Sequence, residues 1–476
     1  MDLTNIFNLS TAKILTKYFE FLNNVRVARG EPRVEHSKLL LYILKMSTAP
    51  TSLLLMLSYV AYAHHRVLSL YYVIPLSIAA FFTIPVFLEL LRYVNYIRNL
   101  REDLTYFMII DGMCPGDDLI KDLEEDSEAI CSFLPSLCIE NSRLKLFMKF
   151  FPGVRGVKEY VLRAPKPMRK LLLEYVTTRE SASFSTWVYS KYQEALREVK
   201  VSARNSLELK TILSLTAVIF SGLTPPIIAL TALVMGGQEV LYAYPLITLP
   251  AVAMAISERS VPRILKVPSG SRRLKVSAAL STLSLSISPV IGLRNSVAIA
   301  GVVFLVLGVV ASVKFIRAYL ELISIPSQLV ILADKLPYSD RPLELVRESL
   351  GEILGRSVFT SVCYYMLFKA VKKGDIDSAR IIAFKDVVEE LFSLVKQSAA
   401  VRALVVATAI FLPFVSIFSI SLAVSMNTAS SVLYLYYFTS SLFYSVIATH
   451  TAFGTLENTF LVGLVMIELY TLGVVP

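Results

Sequence analysis

The sequence is poor in the residues that build metal and redox sites. It has four cysteines, four histidines and one tryptophan in 476 residues. No C-x-x-C pair occurs, so zinc and dithiol chemistry have no support, and Cys114, Cys131, Cys138 and Cys363 are read as free thiols in a reducing compartment. His64 and His65 are adjacent and do not share a helix face, which argues against a metal site there. No G-x-x-x-x-G-K-[ST] phosphate loop is present; PSGSRRLK, the nearest basic glycine stretch, has the wrong order. No Ser/His/Asp arrangement can be argued. The chain is therefore expected not to be an enzyme and to need no cofactor and no metal. No apolar segment resembling a cleavable signal follows the first basic residues.

Charge is missing from long stretches of the chain. Hydrophobic residues make up 55% of the sequence, and the mean hydropathy is +0.61. The apolar residues gather in blocks of about 17–25 residues, the length that crosses a hydrocarbon core of about 30 Å. Nine such blocks are expected to span a membrane: 45–63, 71–91, 212–234, 240–256, 276–291, 296–313, 403–424, 432–449 and 460–476. The formal net charge of +10 is attributed to the membrane, not to nucleic acid, because Lys and Arg flank some blocks and avoid others. The segment ERSVPRILKVPSGSRRLK, between the fourth and fifth blocks, carries six bases against Glu258. By the positive-inside rule it is cytosolic. Counting outward puts the N-terminus and both long polar regions in the cytosol, and the C-terminus outside.

The expected organisation is a cytosolic amphipathic segment at 1–38, two spans within 39–91, and a cytosolic helical domain at 92–210. Two spans within 211–256 and a basic cytosolic loop at 257–275 follow. Two further spans within 276–313, a second cytosolic helical domain at 314–402 and three spans within 403–476 complete the chain. The amphipathic segment carries Leu3, Ile6, Phe7, Ile14, Leu15, Tyr18, Phe19 and Leu22 at helical spacing and stops at Gly30 and Pro32. It is expected to lie on the bilayer or on the protein. Both polar regions read as helical. The first is polarised: Glu102 to Glu140 holds eleven acids and one base, and Arg143 to Lys210 holds fifteen bases and six acids. Two spans, a polar helical region and two spans are repeated, with one span added. The fold class is thus all-α: a polytopic membrane protein of about nine transmembrane helices, with two cytosolic helical domains in tandem-repeat organisation.

Two stretches carry a resemblance. LREDLTYFMIIDGMCPGDDLIKDLEED has leucines, Gly112 and a small-residue turn, and LVILADKLPYSDRPLELVRESLGEI has Leu336-Pro337 and a Pro342-Leu343 restart. With the span layout, they resemble the type II secretion F-domain family, and within it the archaeal membrane platform proteins of the archaellum and of type IV pili. The second stretch has Ser339-Asp340-Arg341 where the family's hairpin turn has glycine. The resemblance implies a multi-pass protein of the cytoplasmic membrane. Its cytosolic domains contact a hexameric secretion ATPase, and it acts on pilin or archaellin subunits, usually as a homodimer. Secondary transporter and permease subunit of an ATP-driven exporter are the alternatives.

The candidate functional residues are charged. Arg163, Lys166, Arg169 and Lys170 cluster around prolines, and Lys369, Lys372 and Lys373 end a helix before Gly374. Both clusters are candidates for docking acidic faces of the ATPase through complementary potential; solvated faces, helix-dipole compensation and anionic lipid are the competing readings. Glu468 is an intramembrane polar candidate, because an ionisable group at that depth faces protein or a water path. Pro225-Pro226, Pro245 and Pro250 are read as kink positions in the third and fourth spans.

Overall fold

The sequence of residues 69–91 is apolar at nearly every position, and from Arg92 apolar residues alternate with charged ones at helical spacing, so one helix is expected to run from the first pattern into the second. The computed structural model shows this helix unbroken: α3 extends from Ser69 to Met113, 45 residues, or about 67 Å. The structure describes residues 3–29, 31–44, 69–113, 118–151, 153–179, 184–235, 292–351, 358–374, 378–397, 399–426, 431–453 and 458–475. Every regular element among them is a helix. The expected spans 45–63, 240–256 and 276–291, the basic loop 257–275, the His64-His65 pair and Cys114 lie outside the described residues, as do Pro245 and Pro250.

The chain divides into two units: Met1–Phe107 with Gly116–Trp187, and Met108–Pro115 with Val188–Pro476.

In the first unit α1 (Leu3–Ala28) and α2 (residues 36–44) lie against α3. Leu22, Leu39 and Ile43 are buried together, with Phe81 and Val86 of α3 packed on them. At Tyr18, Phe19 and Leu22 the apolar stripe of the N-terminal helix therefore covers protein. Arg29 reaches the buried Glu89 of α3 at 2.6 Å, and Tyr42 donates to the other oxygen of Glu89. Burial, with the Glu89 carboxylate second, pushes the Tyr42 phenol up to about 12. The polar region continues as α4 (Leu119–Glu125), α5 (Ser127–Phe133), α6 (Pro135–Phe150), α7 (Val154–Arg163) and α8 (Lys166–Arg179). Asp118 caps α4 by accepting from the Ile120 N–H at 2.9 Å, and it also pairs with Arg179 at 2.9 Å. Glu140 of α6 is fully buried. It accepts from Tyr96 and Tyr160 and pairs with Arg143 at 2.6 Å. That network satisfies a charge that would otherwise be costly inside a core.

The free-thiol reading fails for two cysteines. Cys131 and Cys138 form a disulfide, with Cα atoms 4.8 Å apart. A continuous helix would separate residues seven apart by about 10 Å, but the break at Leu134-Pro135 folds α5 back on α6. Cys363 is a buried free thiol.

In the second unit α9 (Phe184–Ala217) passes into a π-helical turn, Val218–Leu223, and then α10 (Thr224–Met235). Pro225 and Pro226 bring no N–H groups, so the preceding carbonyls lose their α-helical donors. The wider π spacing absorbs this, and the Thr224 hydroxyl donates to the Ile219 carbonyl at 2.7 Å. The expected kink is thus a local rewinding. α11 (Leu293–Lys335) is 43 residues long. A 3-10 turn, Leu336–Tyr338, and then α12 (Pro342–Leu350), α13 (Val358–Lys373), α14 (Ser378–Gln397), α15 (Ala399–Ser425), α16 (Ser431–Phe453) and α17 (Phe460–Thr471) complete it.

Among the described residues, two stretches are long and apolar enough to cross a membrane: Arg294–Arg317 in α11 and Ala400–Ser425 in α15. The last expected span differs. Its helix has 12 residues, about 18 Å, too short to cross a bilayer alone. Gly473 at φ 70° stops it, and Val474 and Val475 turn into the core with Leu469.

α17 lies in close contact with α11. A Cβ on Gly308 would stand 2.2 Å from the Phe460 nitrogen, and one on Gly463 2.3 Å from the Leu305 nitrogen. Only glycine permits this approach. The Thr459 hydroxyl donates to the Phe304 carbonyl at 2.7 Å, and the Asn458 amide donates to Ser312 Oγ at 2.9 Å. Small residues with side-chain hydrogen bonds are the usual adhesive between helices in an apolar solvent.

Candidate functional site

The most fully built polar constellation of the second unit surrounds the tip of α3. Residues 108–113 carry Asp111, which is 1% exposed. Its carboxylate meets the Lys369 ammonium of α13 at 2.7 Å, and Lys369 is itself 5% exposed. Two ions removed from water at this depth must be matched closely, because either one alone would carry its full desolvation penalty. Arg380 of α14 donates to the Met113 carbonyl at 2.8 Å and to the Gly112 carbonyl at 3.3 Å. These are acceptors left open by the end of α3, and a guanidinium there also complements the helix dipole. The Arg380 carbonyl in turn accepts from Tyr192 Oη at 3.0 Å, and Tyr189 lies under the Arg380 guanidinium at 5.4 Å. Gly112 is required here, since a Cβ would stand 2.4 Å from Tyr192 Cβ. Ser378 Oγ donates to the Ala333 carbonyl at 2.9 Å and fastens α14 to α11. Together these contacts form a socket that holds one helix end from three sides.

Lys369 is therefore spoken for. The cluster Lys369, Lys372, Lys373 was expected to offer three cations to a partner, but the ammonium of Lys369 is buried on Asp111. Lys372 and Lys373, three and four positions on, end α13 exposed before Gly374. Sequence reasoning missed Asp111 because its partner lies 258 positions away. A carboxylate among Met108, Ile109 and Ile110 was the available signal.

The other cluster, in the first unit, is exposed throughout: Arg163 at the end of α7, and Lys166, Arg169 and Lys170 on α8. Part of it has local work. Arg169 donates to the Val161 and Leu162 carbonyls at 3.0 and 3.1 Å and so closes α7. Arg163 stacks over Phe147 at 5.6 Å. Lys170 lies 3.9 Å from Glu174, a surface pair of small energetic weight. Lys166 projects into solvent.

Glu468 lies on α17, half-buried. Its Oε2 is buried and has no hydrogen-bond partner among the described residues. Two residues on, Tyr470 lies under the Arg294 guanidinium at 5.2 Å.

No family model matches the sequence, and neither a curated protein nor a solved structure is similar to it.

Proposed function

We propose that this chain is a multi-pass platform protein of the cytoplasmic membrane that assembles an archaeal type IV filament, pilus or archaellum. In this reading about nine spans hold two cytosolic helical domains, with the N-terminus in the cytosol. A partner hexameric ATPase supplies the energy. The platform, as a homodimer, carries the ATPase's rearrangement to pilin-like subunits held in the bilayer.

One observation carries the reading. Two helices of 45 and 43 residues each begin in an apolar run and continue without interruption into a polar helical region. Soon after each, the sequence has a proline, Pro115 or Pro337, and a short acidic helix follows. A crossing needs only about 20 residues, so about half of each helix is a strut that ties bilayer to cytosol. A strut is useful where force is passed between the two. The socket around Asp111 and Lys369 adds support, because it seats the end of the first strut on helices of the second polar region. The π-helical turn before Pro225-Pro226 adds a place where a span can yield.

The test is genetic and biochemical. Deletion of the gene abolishes surface filaments, and the affinity-tagged full chain, extracted from membranes, retains a secretion-type ATPase. Proteoliposomes holding the chain alone that move a solute down an ion gradient would instead identify a secondary transporter.

A further inference from the structure

The corner between α6 and α7 exposes several large apolar side chains of the first unit, and it is also basic. Phe150 is 70% and Leu146 54% exposed at the end of α6, and Phe151 and Val154 follow in the turn. Between residues 143 and 170 the only acid is Glu159, against nine bases. Lys149, Arg155 and Lys158 lie exposed among the apolar groups.

The placement of this corner follows from three contacts. The N–H groups of Ser136 and Leu137, at the start of α6, donate to Asp103 of α3 at 2.9 and 3.2 Å. One turn on, Glu140 accepts from Tyr96. Next, Arg143 donates to the Val27 carbonyl at 2.6 Å, at the end of α1, where Arg29 is paired with Glu89. Advancing along α6 from 136 to 140 thus means retreating along α3 from 103 to 96. The two helices are antiparallel, and α6 climbs back toward the apolar run that ends near Leu91. From Glu140 to Phe150 is about 15 Å of helix. That carries Phe150 to about the level of Glu89, near the edge of the second span.

We infer that the α6–α7 corner is a membrane-surface anchor, with Phe150, Phe151 and Leu146 entering the interface and Lys149, Arg155 and Lys158 binding acidic lipid headgroups. The inference rests on the proposed membrane reading of residues 71–91. Arg155 lies over the Phe151 ring at 5.8 Å and Arg163 over Phe147 at 5.6 Å. In that arrangement aromatic rings lie beneath cationic heads, as when long basic side chains reach from an apolar layer to phosphate. An acidic protein face would match the charge, but it does not account for the aromatic tip at the height of the span's edge. Anchored in this way, α6 would brace the strut α3 against the bilayer through Glu140 and Asp103.

Depth-resolved fluorescence tests this on the full chain. Trp187, the one native tryptophan, is replaced by Phe. Single tryptophans are placed at Phe150, Leu146 and, as a control within the stretch Arg294–Arg317, Val306, which is 57% exposed. The variants are reconstituted in nanodiscs of phosphatidylcholine and phosphatidylglycerol carrying brominated acyl chains. Phe150→Trp is quenched by bromines just below the headgroups. Leu146→Trp, about 6 Å further out along α6, is quenched less. Val306→Trp is quenched by bromines in mid-chain. Charge reversal at Lys149, Arg155 and Lys158 together at least halves the quenching at 150, as does removing phosphatidylglycerol. Positions 146, 149, 150, 155, 158 and 306 are exposed, and Trp187→Phe keeps an aromatic ring against Phe184, so the variants keep the parent fold. Quenching at 306 without quenching at 150 overturns the anchor while leaving the span intact. No quenching at 306 overturns the membrane reading and the anchor with it. Protection at 150 that develops only when a soluble partner is added identifies a protein-docking surface and also overturns it.

Discussion

Truncating Lys369 strands the Asp111 carboxylate in a core where water cannot reach it. Lys369→Ala therefore costs about 3–5 kcal/mol, whereas replacing both partners with apolar residues of similar size costs far less. Thermal denaturation of the single and double variants in detergent shows a large loss for either single change and recovery in the double. Equal losses in all three would mean that the pair is solvated. Tyrosines give a second prediction. Burial, together with Glu140, raises the phenols of Tyr96 and Tyr160, and burial with Asp118 raises Tyr175. A phenol raised in the fold favours the folded state fully below its unfolded pKa of about 10. That contribution is lost as pH rises through the folded value. Unfolding of the first unit should thus set in above about pH 10, with these tyrosines ionising late in absorbance titration, and Tyr160→Phe should advance neither. At this scale the sequence showed which charges cluster but not which are used. Arg163 to Lys170 are exposed as their prolines suggested. Lys369 looked equally available because nothing within 250 positions of it hints at Asp111.

Helices sit where hydrophobic periodicity puts them, since that signal depends on neighbours three and four positions apart. Their joints were harder to read. The Cys131–Cys138 bridge depends on a turn at Pro135 that brings two helices together, and the shortness of α17 depends on a left-handed Gly473. Neither has a periodic signature. The tightest element contact joins α11 to α17, where Gly308 and Gly463 leave no space for a methyl group. Gly308→Ala is expected to force the helices apart and to destabilise by about 1–3 kcal/mol, read as a lower melting temperature. Gly351→Ala serves as a control, its Cβ meeting only the Arg347 side chain, at 3.4 Å. An unchanged melting temperature for Gly308→Ala would show that the two helices are not in contact.

For the whole molecule, two of the expected spans, 296–313 and 403–424, coincide with described stretches long and apolar enough to cross a membrane, and they were legible because a bilayer would fix the length of whatever crosses it. How the chain parts into units was not. The cut falls inside α3 and inside α9, so that the last residues of α3 belong with the second polar region. The contacts responsible join residues more than 250 positions apart, and no local pattern announces them. A strut that begins in one unit and ends in another suits a platform that carries force, and this depends on both polar regions lying on the same side of the bilayer. Labelling of single engineered cysteines in intact cells tests that most directly, using a membrane-impermeant maleimide at residue 166 in the first polar region, 338 in the second and 426 after α15. The account predicts labelling at 426 in intact cells and at 166 and 338 only after lysis. Labelling of 166 or 338 in intact cells would contradict it.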